Sequence, residues 1–133
     1  MAALLSEDRY VRLLVVDSIM ATYRCDYIGR GELSERQQQL NQVLANIKRL
    51  ADCHNIAVIL TNQMQSDPGA TMSFVPDPKK PVGGHILAHA VHTRIALRKG
   101  SGDQRIAKIV QSSNNCEKDA TYVLSSGGVA DSS

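Results

Sequence analysis

Leu13-Leu14-Val15-Val16-Asp17-Ser18 is an apolar, β-branched-rich run that stops at a carboxylate. A continuous run of this kind reads as a strand buried on both faces of a parallel sheet. Ligands of open α/β sheets bind beyond the carboxyl ends of the strands, so Asp17 stands where a Mg2+-nucleotide is held, the Walker B arrangement. Ile56–Leu60 repeats the pattern and ends at Thr61-Asn62-Gln63, whose amides suit either a phosphate sensor or a cap that binds backbone. An aspartate at a strand end also caps turns in many α/β proteins, and these residues by themselves leave both readings open. Arg30 lies between Gly29 and Gly31, which lets the backbone approach a phosphate while the guanidinium donates a bidentate pair. The competing reading of Arg30 and Arg36 is a solvated basic face, and Lys79-Lys80 has Asp77 close by as a neutralising charge. His85, His89 and His92 are spaced four and three apart, but no Glu or Cys accompanies them, so a zinc set is not expected. No serine has a paired general base that would argue for nucleophilic catalysis.

The elements that must position these groups follow from periodicity. Within Glu32–Cys53, the residues Leu33, Leu40, Leu44, Ile47 and Leu50 or Ala51 recur at helical spacing, with Gly31 at the entry and Asn55 at the exit. Strand, crossover helix and strand imply a right-handed parallel unit. All four prolines, Pro68, Pro76, Pro78 and Pro81, fall within Ser66–Pro81, a long loop. Loops beyond roughly 12–15 residues are uncommon in compact domains unless they are functional or disordered. After Gly83-Gly84, His85–Ala90 suits one or two helical turns. Val91–Lys99 and Gln104–Val110 then flank Gly100-Ser101-Gly102-Asp103, a hairpin composition. In the first arm Thr93, Ile95 and Leu97 alternate with His92, Arg94, Ala96 and Arg98, as one buried and one wetter face require. Thr121–Ser125 supplies a final strand before Gly127-Gly128 and a small polar tail, and a short helical stub is expected over Ala2–Asp8.

The 133 residues carry a formal charge of +2, are 43% hydrophobic and only 4% aromatic, and are expected to form one soluble globular unit over 1–133. No apolar run approaches the roughly 20 residues of a membrane span, and Met1–Tyr10 lacks the pattern of a signal peptide. Cys25, Cys53 and Cys116 are odd in number and never form CxxC, which suits a reducing compartment, cytosol or nucleus. A charge of +2 is too small to make the whole surface a polyanion binder, so a nucleic-acid role must come from local clusters.

The segments LLVVDSIMATYRCDYIGRGELSERQQQLN, AVILTNQMQSDPGATMSF and DPKKPVGGHILAHAVHTRIALRKG together resemble the Rad51 and RadA proteins, the eukaryotic and archaeal recombinases of the RecA superfamily. DSIMA and NQMQSDPGATM look most like the meiosis-specific eukaryotic branch, and the resemblance covers Leu13 to Asp131. It implies an α/β, RecA-like P-loop NTPase core with parallel strands followed by a C-terminal antiparallel hairpin. It further implies a nuclear protein that, with ATP and Mg2+, forms a filament on single-stranded DNA. That filament carries out homologous pairing and strand exchange with duplex DNA in meiotic recombination and break repair. Asp17 matches the Walker B aspartate, which supports Mg2+ through water. The segment from Arg24 to Gly31 matches the first DNA-binding loop, with Arg30 on the DNA backbone, and Arg36 matches a further basic DNA-binding position. Gln63 matches the glutamine linking nucleotide state to the second DNA loop, here about Met64 to Val82. Lys79 and Lys80 match lysines at the end of that loop, and His89 matches a histidine that approaches the γ-phosphate across a subunit interface.

The sequence departs from that pattern in two places. GxxxxGK[ST] does not occur, and only sixteen residues precede Asp17. The family's phosphate-binding loop, catalytic glutamate and polymerisation linker are therefore not expected here, and no catalytic set is complete. Without the glycine-rich cradle and its lysine, the chain alone is expected to be a poor ATPase or none. It is also expected to associate or partly melt where the missing half would cover it. In Val110–Ala120, Gln111 replaces an acid, and Ser113 and Cys116 replace prolines, of a segment that caps a neighbouring subunit's ATP. The alternative expectation is a non-enzymatic, truncated paralogue that binds DNA or interferes with a full-length recombinase filament.

Overall fold

The computed structural model describes residues 10–21, 32–66, 79–82 and 84–132. The stub over Ala2–Asp8, the segment holding Arg24, Cys25 and Arg30, and residues 67–78 lie outside the described residues. The chain divides into two compact units, Met1–Ala90 and Val91–Ser133.

In the first unit, β1 (Leu13–Val16) pairs in parallel with β2 (Ala57–Leu60), in a register that sets Leu13 opposite Ala57 and Val16 opposite Leu60. Between them in sequence runs α1 (Glu32–His54). Its apolar stripe turns Leu40 and Leu44 into the core, against Ile19 and Met20 after β1 and Leu87 of α2 (Gly84–Ala90), with Val43 and Ile47 packed at the edge. The helix ends as its sequence requires. Asn55 adopts φ +51°, a left-handed conformation that Asn tolerates better than most residues, and the Ile56 amide donates to the Ala51 carbonyl at 3.1 Å. Ile56 itself is buried.

One expectation is corrected here. β1 and β2 are covered on one face only: Val16 and Leu60 pack against the core, whereas Leu13, Val15 and Ile59 are about half exposed. The pleat sends alternate side chains away from α1, and nothing among the described residues buries that second face.

The long loop also needs correcting at both ends. Its first and last residues form an antiparallel ribbon of β3 (Met64–Ser66) and β4 (Lys79–Pro81), with Met64 opposite Pro81 and Ser66 opposite Lys79. Proline is tolerated in β4 because it sits at the terminus of a short ribbon.

The second unit is a four-stranded antiparallel meander, β5 (Thr93–Lys99), β6 (Gln104–Ser112), β7 (Asp119–Ser125) and β8 (Gly128–Asp131). The expected hairpin is β5–β6, with an irregularity in register between Arg94 and Ile95. The expected polar tail is instead β8, paired Leu124 to Val129 and Tyr122 to Asp131. Gly128, at φ +106°, makes that turn possible, and Ser125 Oγ accepts from the Gly127 amide and donates to the Gly128 carbonyl. The expected alternation along β5 is present over Thr93–Leu97, and its half-buried face is that of Arg94 and Ala96. Ile95 and Leu97 are 59% and 65% exposed, while Arg94 and Ala96 are half-buried. Alternation was legible, but which face is covered depends on what packs against it.

Candidate nucleotide and DNA interface

Parallel pairing brings the residues just beyond β1 and β2 side by side. The Thr61 amide continues the ladder by donating to the Val16 carbonyl at 3.0 Å, and the Ile19 amide donates to the Thr61 carbonyl at 3.1 Å. That places the Thr61 hydroxyl against Asp17, where it donates to Oδ1 at 2.5 Å. A charge-assisted bond of this length fixes the carboxylate's orientation. Asp17 is nonetheless exposed to solvent, and its Oδ2 makes no hydrogen bond to the described residues. One oxygen anchored and one left open is an arrangement that fits a cation held through water, since Mg2+ keeps several waters and takes few carboxylates.

From Thr61 the chain passes to Asn62, whose two amide atoms are both used. Nδ2 donates to the Val82 carbonyl at 2.7 Å and Oδ1 accepts from the Gln63 amide at 2.8 Å. Of the two readings of this amide, backbone capping is the one the geometry shows. The Val82 amide in turn donates to the Gln63 carbonyl at 3.0 Å. Gln63 is therefore pinned through its backbone at the root of the β3–β4 ribbon, while its half-buried side-chain amide has no partner among the described residues. Lys79 and Lys80 stand on β4, opposite Ser66 and Gln65.

Val82 stands just ahead of α2. His89 lies on that helix, its ring stacked on His85 with centroids 6.5 Å apart and planes inclined by 26°. The pair borders an open cleft of about 320 Å3 that Asn41 of α1, Ile86 and Ala90 also line. Arg36 is half-buried in the second turn of α1. Arg24 and Arg30 lie outside the described residues, so the geometry joins Asp17, Gln63 and the ribbon that carries Lys79 and Lys80, and gives no placement for the segment expected to be a first DNA-binding loop.

Sequence reasoning missed the role of Thr61. The signal was available in the two strand ends, because equal-length parallel strands set the residue after one opposite the residue after the other. In the second unit, Gln111 sits opposite Arg94 in register and accepts from its Nη1 at 3.4 Å. Ser112 Oγ gathers the Asn114 and Asn115 amides at 3.3 and 3.2 Å and lies 3.3 Å from Thr93 Oγ1. The segment that diverges from the family pattern is thus tied locally by hydroxyl and amide groups rather than by an acid and prolines.

The Rad51 family profile matches residues 1–132. Over 121 residues the chain is 61% identical to the meiotic recombination protein DLH1 of Candida albicans, covering 90% of this chain and 37% of that protein. It is 60% identical over 123 residues to the meiotic recombination protein DMC1 of Saccharomyces cerevisiae, covering 92% and 37%. It is 57% identical over 120 residues to the human meiotic recombination protein DMC1/LIM15 homolog, covering 90% and 35%. The chain thus spans little more than a third of the length of the curated relatives it matches.

Proposed function

The chain belongs to the Rad51 family, and from that premise we propose that residues 1–133 are the C-terminal part of a RecA-like recombinase core acting in the nucleus on meiotic DNA. The whole protein pairs and exchanges homologous DNA strands as a filament, with ATP and Mg2+. The observation that carries this reading is the continuity from Asp17 to the second DNA loop. Thr61 is bonded to the Asp17 carboxylate, and two residues later Gln63 is bonded to the root of the ribbon from which that loop springs. Three consecutive residues, Thr61 to Gln63, thus supply the contacts through which a change at the carboxylate would reach the loop's base. Bound Mg2+-ATP supplies charge neutralisation and a γ-phosphate whose presence or loss distinguishes two states. Asp17 would hold that cation through water, and Gln63 offers at the loop root an amide that has no partner among the described residues. His89 presents an imidazole for a phosphate from a neighbouring subunit. Arg24, Arg30, Arg36, Lys79 and Lys80 serve DNA phosphates, which carry the bulk of sequence-independent affinity. The phosphate cradle GxxxxGK[ST] is not among these 133 residues, so ATP turnover requires it from outside them.

Single-strand binding measured by anisotropy across a salt series tests the DNA role. Arg30→Ala and Arg36→Ala together should weaken binding and flatten the slope of log K against log salt by about 0.7 for each phosphate left unneutralised. An unchanged slope removes both arginines from the DNA path. A second reading, an interfering paralogue, is favoured by Gln111, which sits where the family carries an acid and is engaged with Arg94. If it holds, adding the chain to a full-length relative lowers strand-exchange yield in proportion to dose.

A further inference from the structure

The hairpin that joins β5 to β6 carries a serine that neither the nucleotide nor the DNA residues use. Leu97-Arg98-Lys99-Gly100-Ser101-Gly102 sets two basic side chains three and two residues ahead of Ser101. The tip is tightly built around it. The Gln104 amide donates to the Ser101 carbonyl at 3.0 Å, and the Gly100 amide donates to the Gln104 carbonyl at 2.9 Å. Gly102 has φ +56° at the first central position, the place where a II′-type turn takes glycine. A Cβ at Gly100 would approach the Gln104 Cβ and carbonyl oxygen to 3.2 Å, a tight fit that a larger residue could take only if Gln104 shifted by a few tenths of an ångström. Ser101, Arg98 and Lys99 are all exposed, and the Ser101 hydroxyl has no hydrogen-bond partner among the described residues. The backbone of this serine is committed to the turn, while its hydroxyl is exposed to solvent, two and three residues beyond the exposed Lys99 and Arg98.

We propose that Ser101 is a phosphorylation site for a serine kinase whose substrate groove presents carboxylates to two upstream basic side chains. In the transfer, the Ser101 oxygen bonds to the γ-phosphorus of ATP as the bond to the β-phosphate oxygen breaks. ADP leaves, and the hydroxyl proton passes to the kinase's aspartate. Arg98 and Lys99 are free to be read. The ion pair Arg98 makes among the described residues, Nη2 to Asp119 Oδ2 at 3.8 Å, is loose and about half exposed on each side, so it yields readily to a kinase carboxylate.

The fold also accommodates the product. Register sets Lys99 directly opposite Arg105, two like charges on one face, an arrangement that costs stability. A phosphoserine adds about −1.5 to −2 charge at the tip of that same hairpin, opposite in sign to both side chains. The chain's formal charge of +2 then falls to about zero. Any effect on DNA affinity rests on the reading proposed above; the modification itself does not.

The full chain, incubated with Mg2+-ATP and the catalytic subunit of cyclic-AMP-dependent protein kinase, is read by intact mass and fragment mass spectrometry. One phosphate on Ser101 is expected, with none on Ser101→Ala. Lys99→Ala should be modified about tenfold more slowly, because one charge-assisted bond to the kinase can no longer form. No uptake by the parent chain, or equal uptake by Ser101→Ala, overturns the proposal. Because the readout contains no DNA, a chain that fails to bind DNA leaves the result standing.

Discussion

The carboxylate of Asp17 is held by a hydroxyl from the neighbouring strand end, and that bond is the most economical place to test the site. Thr61→Val keeps the shape and removes the donor, so the chain should lose about 1–2 kcal/mol in urea denaturation, the range for a hydrogen bond to a charged group with partial exposure. An unaltered midpoint would mean the bond contributes nothing to the fold. Asp17 was legible in the sequence because an apolar run ending in a carboxylate is a chemical statement confined to a few consecutive residues. Thr61 was not, since its partner lies 44 positions away and only strand register brings them together. Asn62 was legible as an amide with two possible duties, and the choice between them needed Val82, 20 residues on, to be in place.

At the scale of elements, Asn62 acts as a clip between the end of β2 and the root of the ribbon. Asn62→Asp retains the acceptor for the Gln63 amide but has no donor for the Val82 carbonyl. Hydrogen exchange at the Val82 amide should accelerate about fivefold, as one neutral hydrogen bond worth about 1 kcal/mol disappears beside it. Exchange at the parent rate would show that the ribbon does not depend on the clip. The long amphipathic helix, the two apolar strands and the hairpin were legible because each carries its period over several residues. The ribbon strands β3 and β4 and the terminal β8 were not, being three or four residues long with Pro81 in one and only Val129 and Ala130 as apolar signal in another. Pairing geometry, rather than composition, makes them strands.

For the molecule as a whole, the feature the sequence concealed was the side from which each sheet is covered. In the second unit Ile95, Leu97, Leu124 and Val129 all lie open to solvent, with Val129 73% exposed and paired across the ladder to Leu124. Apolar side chains uncovered in this number on one small sheet drive association. The isolated chain should therefore sediment as larger species with rising micromolar concentration, and Leu97→Lys combined with Val129→Glu should shift it toward monomer. Concentration-independent sedimentation of the parent chain would show that these side chains are inert. Alternation along a strand announces two faces, but the identity of the buried one belongs to the neighbouring element, and no pattern internal to β5 contains it. The family, by contrast, was legible from three segments spread over nearly the whole chain.

Ser66 and Lys79 are neighbours across a ladder, so any connection between them begins and ends one strand spacing apart, about 4.8 Å. This makes the position a socket for engineering. A flexible linker spliced there meets the same two anchor points whatever its length, and each doubling of that length costs only about 0.6 kcal/mol. A reporter peptide or a small inserted domain is accordingly expected to be tolerated at this point, with the parallel strands and α1 undisturbed beneath it.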